Sequence, residues 1–248
     1  MIARLNGVEV DYPRGRALGP FDLALAAGEI VALVGPSGCG KSTALRLLAG
    51  LETPTQGEVA RASRPGETSV VFQSPTLMPW ATVLANVTLP LRLGGLNPTQ
   101  ARERAVGALA RVGLAAAQDL KPAQLSGGMA MRVSLARALV TEPRVLLLDE
   151  PFAALDEITR RSLAQDVHAL WTQTRPAIVF VTHNVEEAVY MASRVVIMTP
   201  GPGRVAGQAV IAESLPRPTG FRLTSAFRQT AEQVSGALEM AMAAREGA

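Results

Sequence analysis

The segment Gly35-Pro36-Ser37-Gly38-Cys39-Gly40-Lys41-Ser42-Thr43 constrains this chain more than any other. It follows the all-apolar run Ile30–Val34 and leads into Lys41–Ala49, where a helical pattern ends at Gly50. A strand, a glycine-rich turn and a helix in that order curl the backbone so that successive N–H groups face one hollow. The helix adds the positive end of its dipole to the same place. Such a hollow selects an anion with several oxygens.

The spacing Gly35-x-x-x-x-Gly40-Lys41-Ser42 is the phosphate-loop pattern in its required context. In that pattern Gly35 to Thr43 wrap a nucleoside triphosphate, Lys41 reaches its outer phosphates and the Ser42 hydroxyl ligates Mg²⁺. The basic residues sharpen the point. Of 24, only those at 41 and 121 are Lys and the rest are Arg. Lys therefore stands at 41 against a strong compositional preference, where a compact ammonium suits a phosphate better than a planar fork. Cys39, the single cysteine, excludes an internal disulfide and fits a reducing compartment. Its place beside Lys41 at a helix N-terminus favours thiolate and susceptibility to alkylation, and the other reading, preferred as regards catalysis, is a small residue tolerated there without a role.

The chain has 248 residues, 48% of them hydrophobic, enough for a packed core; aromatics at 4% make that core aliphatic. The net charge of +3 comes without a dense basic run, so nucleic acid is not expected as a partner. Met1-Ile2-Ala3-Arg4-Leu5-Asn6 lacks a secretory apolar stretch, and no apolar run approaches the ~20 residues that span a bilayer. The expectation is a soluble, cytoplasmic protein able to sit on a membrane partner.

Short β-branched or Leu-rich runs alternate with helical patterns, which is the mark of a parallel α/β sheet. Strands are expected at Ile30–Val34, Thr68–Phe72, Val145–Leu148, Ala177–Val181, Val195–Met198 and Val205–Ile211, the last two joined by the turn Pro200-Gly201-Pro202-Gly203. Between Ser74 and Val140 strand character lapses and two helices stand out. One is capped by Asn97 with Pro98 in its first turn, and the other opens near Ser126. A further helix follows Asp156, and the tail ends in one from about Ser225. The organisation read from this is a nucleotide-binding core at 1–73 and 141–212, a helical insertion at 74–140 and a C-terminal helical extension at 213–248.

Val145-Leu146-Leu147-Leu148-Asp149-Glu150-Pro151 is an apolar strand ending in two carboxylates. Beside a phosphate loop, such a strand delivers Asp149 to the Mg²⁺ shell and Glu150 to a water attacking the γ-phosphate. With Leu125-Ser126-Gly127-Gly128-Met129 added, the chain resembles the ATP-binding subunits of ABC transporters, to about residue 211. The resemblance implies a P-loop ABC ATPase fold: a RecA-like parallel sheet with an N-terminal antiparallel β subdomain and an inserted α-helical subdomain. It implies ATP and Mg²⁺ as cofactors, and a homodimer that forms on ATP binding. Each ATP then lies between one phosphate loop and the partner's Ser126, Gly127 and Gly128, which open a helix onto the γ-phosphate.

The same resemblance carries over residue by residue. Gln73 matches the glutamine that senses Mg²⁺ and the attacking water, and His183 the histidine that contacts the γ-phosphate. Asp156 matches the loop that crosses to the partner subunit and also reads as an N-cap. Tyr12 matches the aromatic that stacks on adenine. His168, inside a helical pattern, is expected to be structural. Met129, Ala130, Met131 and Asn184 depart from the usual residues. The departures at 129–131 are expected to bear on polar contacts across the dimer.

After Gln73, Ser74-Pro75-Thr76-Leu77-Met78-Pro79-Trp80 resembles the nitrate, sulfonate and taurine importer branch, as does Phe152-Ala153-Ala154-Leu155-Asp156. Membership implies transmembrane permease subunits, a periplasmic or extracellular solute-binding protein acting indirectly, and a peripheral position on the cytoplasmic face of the plasma membrane. Met78-Pro79-Trp80 would anchor the permease contact or, alternatively, Trp80 would pack inside the helical insertion. The rival reading is a soluble ABC ATPase of DNA repair or translation; such chains carry a long coiled coil or tandem cassettes, and this one has neither.

Overall fold

The computed structural model describes residues 1–64, 66–153 and 155–246. Ala154, in the segment ahead of Asp156, and 247–248 of the expected extension lie outside the described residues. The chain opens with β1 (Ala3–Tyr12), β2 (Gly15–Leu25) and β3 (Ile30–Val34), then α1 (Lys41–Ala49), β4 (Gln56–Arg61) and β5 (Thr68–Val71). Three helices follow: α2 (Val83–Leu93), α3 (Pro98–Arg111) and α4 (Gly127–Leu139). The second half alternates β6 (Val145–Asp149), α5 (Glu157–Thr174), β7 (Ala177–Thr182), α6 (Val185–Met191), β8 (Arg194–Met198) and β9 (Val205–Val210), and ends in α7 (Ser225–Glu246).

Runs buried on both faces become the centre of a sheet. β3 and β7 are buried along their whole length and pair in parallel, and the full order is β5-β6-β7-β3-β8-β9. Only β9 runs antiparallel, returning from β8 across the expected Pro200–Gly203 turn. The N-terminal strands form a separate antiparallel sheet in the order β2-β1-β4. The α/β fold with a parallel core sheet and an N-terminal antiparallel sheet is thus the one expected.

Three apolar clusters hold the molecule. One face of the large sheet packs Phe180, Leu146 and Ile178 against Leu163 and Trp171 of α5 and Phe227 and Val234 of α7. The other face packs Val179 and Leu33 against Leu47 of α1 and Leu5 and Phe21 of the small sheet. Each fully buried side chain of this size contributes roughly 1.5–3 kcal/mol relative to exposure. A third cluster joins Val83 and Val87 of α2, Ala105 and Leu109 of α3 and Val133 of α4, with Leu170 of α5 inserted from outside.

Two expectations of detail change. The 74–140 region holds three helices, because α2 forms across Val83–Leu93 despite Pro90 within it. Thr82 caps α2, its hydroxyl accepting from the Ala85 N–H at 3.2 Å. Proline and β-branched residues lower helix propensity there, and burial of Val83, Leu84, Val87 and Leu91 overrides it. The edge strand β5 stops at Val71, leaving Phe72 39% exposed.

Candidate functional site

In a parallel sheet the strand ends converge on one edge, and ligands bind there. Here the registers align Val34 with Thr182, Asp149 with Val181 and Val71 with Leu148. The residues next in sequence therefore emerge side by side: the loop from Gly35, the pair Asp149 and Glu150, His183 just past β7, and Gln73 two residues past β5. Gln73 is exposed at this edge.

The loop is drawn tightly around its own lysine. Lys41, 5% exposed, donates from Nζ to the carbonyls of Gly35 and Pro36, both at 2.8 Å. Gly38 and Gly40 take left-handed backbone conformations, with φ of 76° and 97°. A Cβ on Gly40 would stand 2.6 Å from the Ala17 carbonyl oxygen, so the turn excludes side chains both by conformation and by space. Ser37 and Gly38 are exposed, Pro36 is half-buried, and Thr43 is buried in the first turn of α1.

The acidic strand end meets this loop directly. Ser42 Oγ donates to Asp149 Oδ1 at 2.9 Å, joining residues 107 apart in sequence. Burial pushes the Asp149 carboxyl above its ordinary range; the Ser42 hydrogen bond opposes that and the neighbouring Glu150 adds to it. A divalent cation at this pair would relieve the same cost. Among the described residues no cluster of three or more His, Cys, Asp or Glu could hold a metal. Two protein oxygens suit Mg²⁺, which keeps waters and substrate phosphates as its other ligands.

Glu150 sits at φ 45°, unusual for a residue with a Cβ, and its N–H donates to the Val181 carbonyl at 3.1 Å. That turn aims the side chain at His183, whose Nδ1 lies 3.5 Å from Glu150 Oε2. The carboxylate is mostly covered and the imidazole mostly exposed. A base and a polar ring at the open edge, beside a phosphate-shaped loop, can orient and deprotonate a water there.

Other expected residues lie apart from this cluster. Ser126 caps α4, its hydroxyl accepting from the Met129 N–H at 3.2 Å, and Ser126 and Gly127 are exposed. This end of α4 packs on the start of α5: a Cβ on Gly128 would meet Thr159 Cγ2 at 2.6 Å. Asp156 caps α5 through Thr159 N–H at 3.0 Å and Thr159 Oγ1 at 2.7 Å, and these bonds hold its carboxyl below the usual range. Among the described residues no hydrogen bond or ion pair ties Ser126–Gly128 to the phosphate loop, Asp149 or Glu150. The helix starts at Lys41 and Ser126 thus lie apart within the chain.

A family profile described as ABC transporter matches residues 18–153, more than half of the chain. The chain belongs to the ABC transporter family. A taurine import ATP-binding protein of Yersinia pestis is 43% identical over 206 residues, covering 81% of each chain. An aliphatic sulfonates import ATP-binding protein of a Mycobacterium species is 46% identical over 200 residues, covering 81% of this chain and 80% of the relative. Among solved structures, cbiO1 of Clostridium perfringens, part of an ABC transporter complex, matches with TM-score 0.77 at 28% identity over 84% of this chain and 88% of that one. A dimeric ATP-binding cassette, MJ0796, in a post-hydrolysis state with ADP and Pi matches with TM-score 0.74 at 31% identity over 86% of this chain and all of that one. The protein is an ATP-binding, ATP-hydrolysing ABC subunit.

Within this ABC cassette the departures find physical roles. Met131 is 2% exposed and joins the sheet core, and Met129 packs in the helical cluster, so the position at 131 faces inward and not toward a partner. Asn184 caps α6, accepting from the Glu187 N–H at 3.1 Å, a task Asp performs with the same geometry. His168 is buried and donates from Nε2 to the Met191 carbonyl at 3.1 Å, the structural role expected. Tyr12 ends β1, 37% exposed, with its hydroxyl on Glu52 Oε2 at 2.9 Å.

The expectation for Cys39 is overturned. The thiol is fully buried, and desolvation raises its pKa more than Lys41 lowers it. Iodoacetamide at neutral pH should modify the native cassette at less than about a tenth of the rate of the unfolded chain. Equal rates, followed by mass spectrometry, would show the burial to be wrong.

The ABC cassette also contains residues that motif reading did not single out. Gly203 is buried against the phosphate loop, exchanging backbone bonds with Ala17 and Gly19. Arg137 of α4 donates to the carbonyls of Thr76 at 2.8 Å and Pro75 at 2.9 Å, pinning the segment after Gln73. Asn86, fully buried, accepts from the Met78 N–H at 2.7 Å and donates to Met78, Ala81 and Thr82 carbonyls. That clamp fixes the loop bearing Trp80, which is 75% exposed and does not pack inside the insertion. Spacing alone gives no hint of any of these, since each partner is remote or a main-chain group.

Proposed function

We propose that this chain powers an importer for a small solute of the sulfonate, taurine, nitrate or pyrimidine-precursor type, working as a nucleotide-sandwich homodimer on permease subunits. The observation that carries the reading is the separation of the Lys41, Ser42, Asp149 and Glu150 cluster from the Ser126 helix start. Each is half of an ATP site, and a second copy supplies the other half. The 1–73 and 141–212 segments act as the ATPase core and 74–140 as the helical subdomain, supported by their separate apolar clusters. The 213–248 segment is a C-terminal extension, whose Phe227 and Val234 pack on that core.

In this scheme the amides of Gly35–Thr43 bind the β-phosphate and Lys41 turns from its carbonyl partners to the γ-phosphate. Tyr12 stacks on adenine. Ser42, Asp149 and Gln73 hold Mg²⁺, which when bound neutralises the charge on the β- and γ-phosphates. Glu150 takes the proton of the attacking water, and His183 and Gln73 orient it. Ser126, Gly127, Gly128 and Asp156 act across the dimer on the partner's nucleotide. In Ser126→Glu, a carboxylate facing the γ-phosphate should abolish dimerisation with a non-hydrolysable ATP analogue while each monomer still binds it. Light scattering and nucleotide titration check both; an undiminished dimer would sink the reading.

The exposed Trp80 on its clamped loop supports permease docking. Trp80→Ala should leave the ATPase rate of the isolated subunit within about twofold and reduce co-purification with permease at least about tenfold. Equal co-purification would remove Trp80 from the interface. Among the described residues no helix is long and apolar enough to cross a membrane, which supports peripheral attachment at the cytoplasmic face. A solute-binding protein on the other side chooses the cargo, and no nucleic acid is involved.

A further inference from the structure

A substantial cleft lies away from the sheet edge. It measures about 630 Å³ and lies between α5 and the 216–223 segment that precedes α7. That is the size of a small-molecule site. One wall is α5, with Arg161, Gln165, His168 and Ala169; the other carries Arg217 and Arg222.

The charge in this cleft lacks compensation. Arg217, 7% exposed, spends its donors on the carbonyls of Val189, Tyr190, Ala192, Glu213 and Ser214. Those bonds fix the guanidinium but leave its charge unpaired, and burial lowers its pKa to about 10. Arg222 lies over the Tyr190 ring at 4.0 Å, and burial lowers its pKa as well. Among the described residues it makes no hydrogen bond, and no carboxylate lies within ion-pair distance of it; Glu186 and Glu157 act on it only from further away. Arg161 binds Glu157 through Nε at 2.6 Å, leaving its terminal nitrogens free of that bond. One buried and one half-buried cation held without an anion are costly unless something negative joins them.

The rest of the lining combines aromatic rings with small apolar and neutral polar side chains. Tyr190 stacks with His168 at 5.3 Å between centroids, and Phe221 and Ala169 border the cleft. His168 donates its Nε2 proton to Met191, and burial keeps the ring neutral, so it adds no competing charge. Gln165 and Thr219 offer neutral hydrogen-bond partners.

We propose that this cleft binds a small organic anion, an aromatic or otherwise flat carboxylic or sulfonic acid, with its acid group on Arg222 and Arg161. The site is separate from the nucleotide site and does not depend on it. It also sits on α6, whose C-terminal carbonyls Arg217 caps and whose first residue follows His183 by two positions. At 1.5 Å per residue the helix spans only about 10 Å, so an occupant bears on the element that seats His183.

The test is calorimetric titration of the whole chain with 2-naphthoate, with and without saturating MgADP, and with inorganic phosphate as an anion lacking the flat body. Saturable 2-naphthoate binding that MgADP leaves intact, at least fivefold tighter than phosphate, is expected. Arg222→Ala should weaken it at least fivefold, and Ala169→Trp, which fills the cleft from an exposed helix position, should abolish it with all arginines in place. Absence of binding, loss of binding with MgADP, equal affinity for phosphate, or full affinity in Ala169→Trp would each overturn the proposal. A chain that took 2-naphthoate but no nucleotide would leave this site standing and sink the transport reading instead.

Discussion

Glu150→Gln is expected to lower ATP turnover by at least about a hundredfold while ATP still binds. The substitution keeps size and hydrogen bonding and removes only the capacity to take a proton. Glu150 lies at the sheet edge, 3.5 Å from His183, while Asp149 is tied to Ser42. Its φ of 45° comes from the chain turning out of β6, with the N–H still held by Val181, and glutamine keeps that turn. The proposed nucleotide-binding loop, Gly35–Thr43, is not touched by the substitution. Phosphate release and nucleotide titration should therefore diverge, and ATP-bound dimers should accumulate because the step that dissolves them is blocked. Turnover within about twofold of the unmodified chain would assign the proton to another group.

Gly203→Ala is expected to weaken ATP binding at least about tenfold and to destabilise the fold by about 1–3 kcal/mol, the range for an overpacked core position. A Cβ there would press well inside van der Waals contact with the Cys39 carbonyl oxygen and within 2.9 Å of Met198 Cε. The first neighbour is backbone and cannot swing away. It belongs to the phosphate loop, and the next residue of that loop is hemmed in as well, because the Ala17 carbonyl leaves no room for a Cβ on Gly40. The added methyl must displace the N–H groups proposed to receive the phosphates. Gly207→Ala is the control: on β9, its nearest neighbour would be Ile197 Cδ1 at 4.0 Å, so affinity should hold. Urea unfolding and nucleotide titration of both variants check this, and equal behaviour would remove Gly203 from the support of the loop.

Much of the core was legible because it is written locally. The phosphate loop is contiguous, the buried strands are continuous apolar runs, and the caps at Asn97, Ser126 and Asp156 lie next to the helices they start. Helix α7 begins at Ser225, where the pattern placed it. Helix α2 escaped because Pro90 and the β-branched residues contradict helix locally, and only burial against α3 and α4 settles the matter. Cys39 was misjudged for a related reason. Its neighbours in sequence argue for thiolate, whereas the packing of the Leu18 and Met198 cluster around it argues against, and desolvation outweighs one nearby ammonium.

By itself the amino-acid sequence determined where the phosphate-loop pattern lies, which strand carries the carboxylates and that Ser126 opens a helix. These are properties of contiguous residues, where backbone conformation and spacing suffice. The tertiary structure alone decided that Ser42 meets Asp149 across 107 residues, that Asn86 holds Trp80 out to solvent, and that Gly203, remote in sequence, backs the loop. It also gathered Arg161, Arg217 and Arg222 around one cleft. Such contacts depend on which distant segments the packed sheet brings within a few ångströms, and no local pattern encodes that.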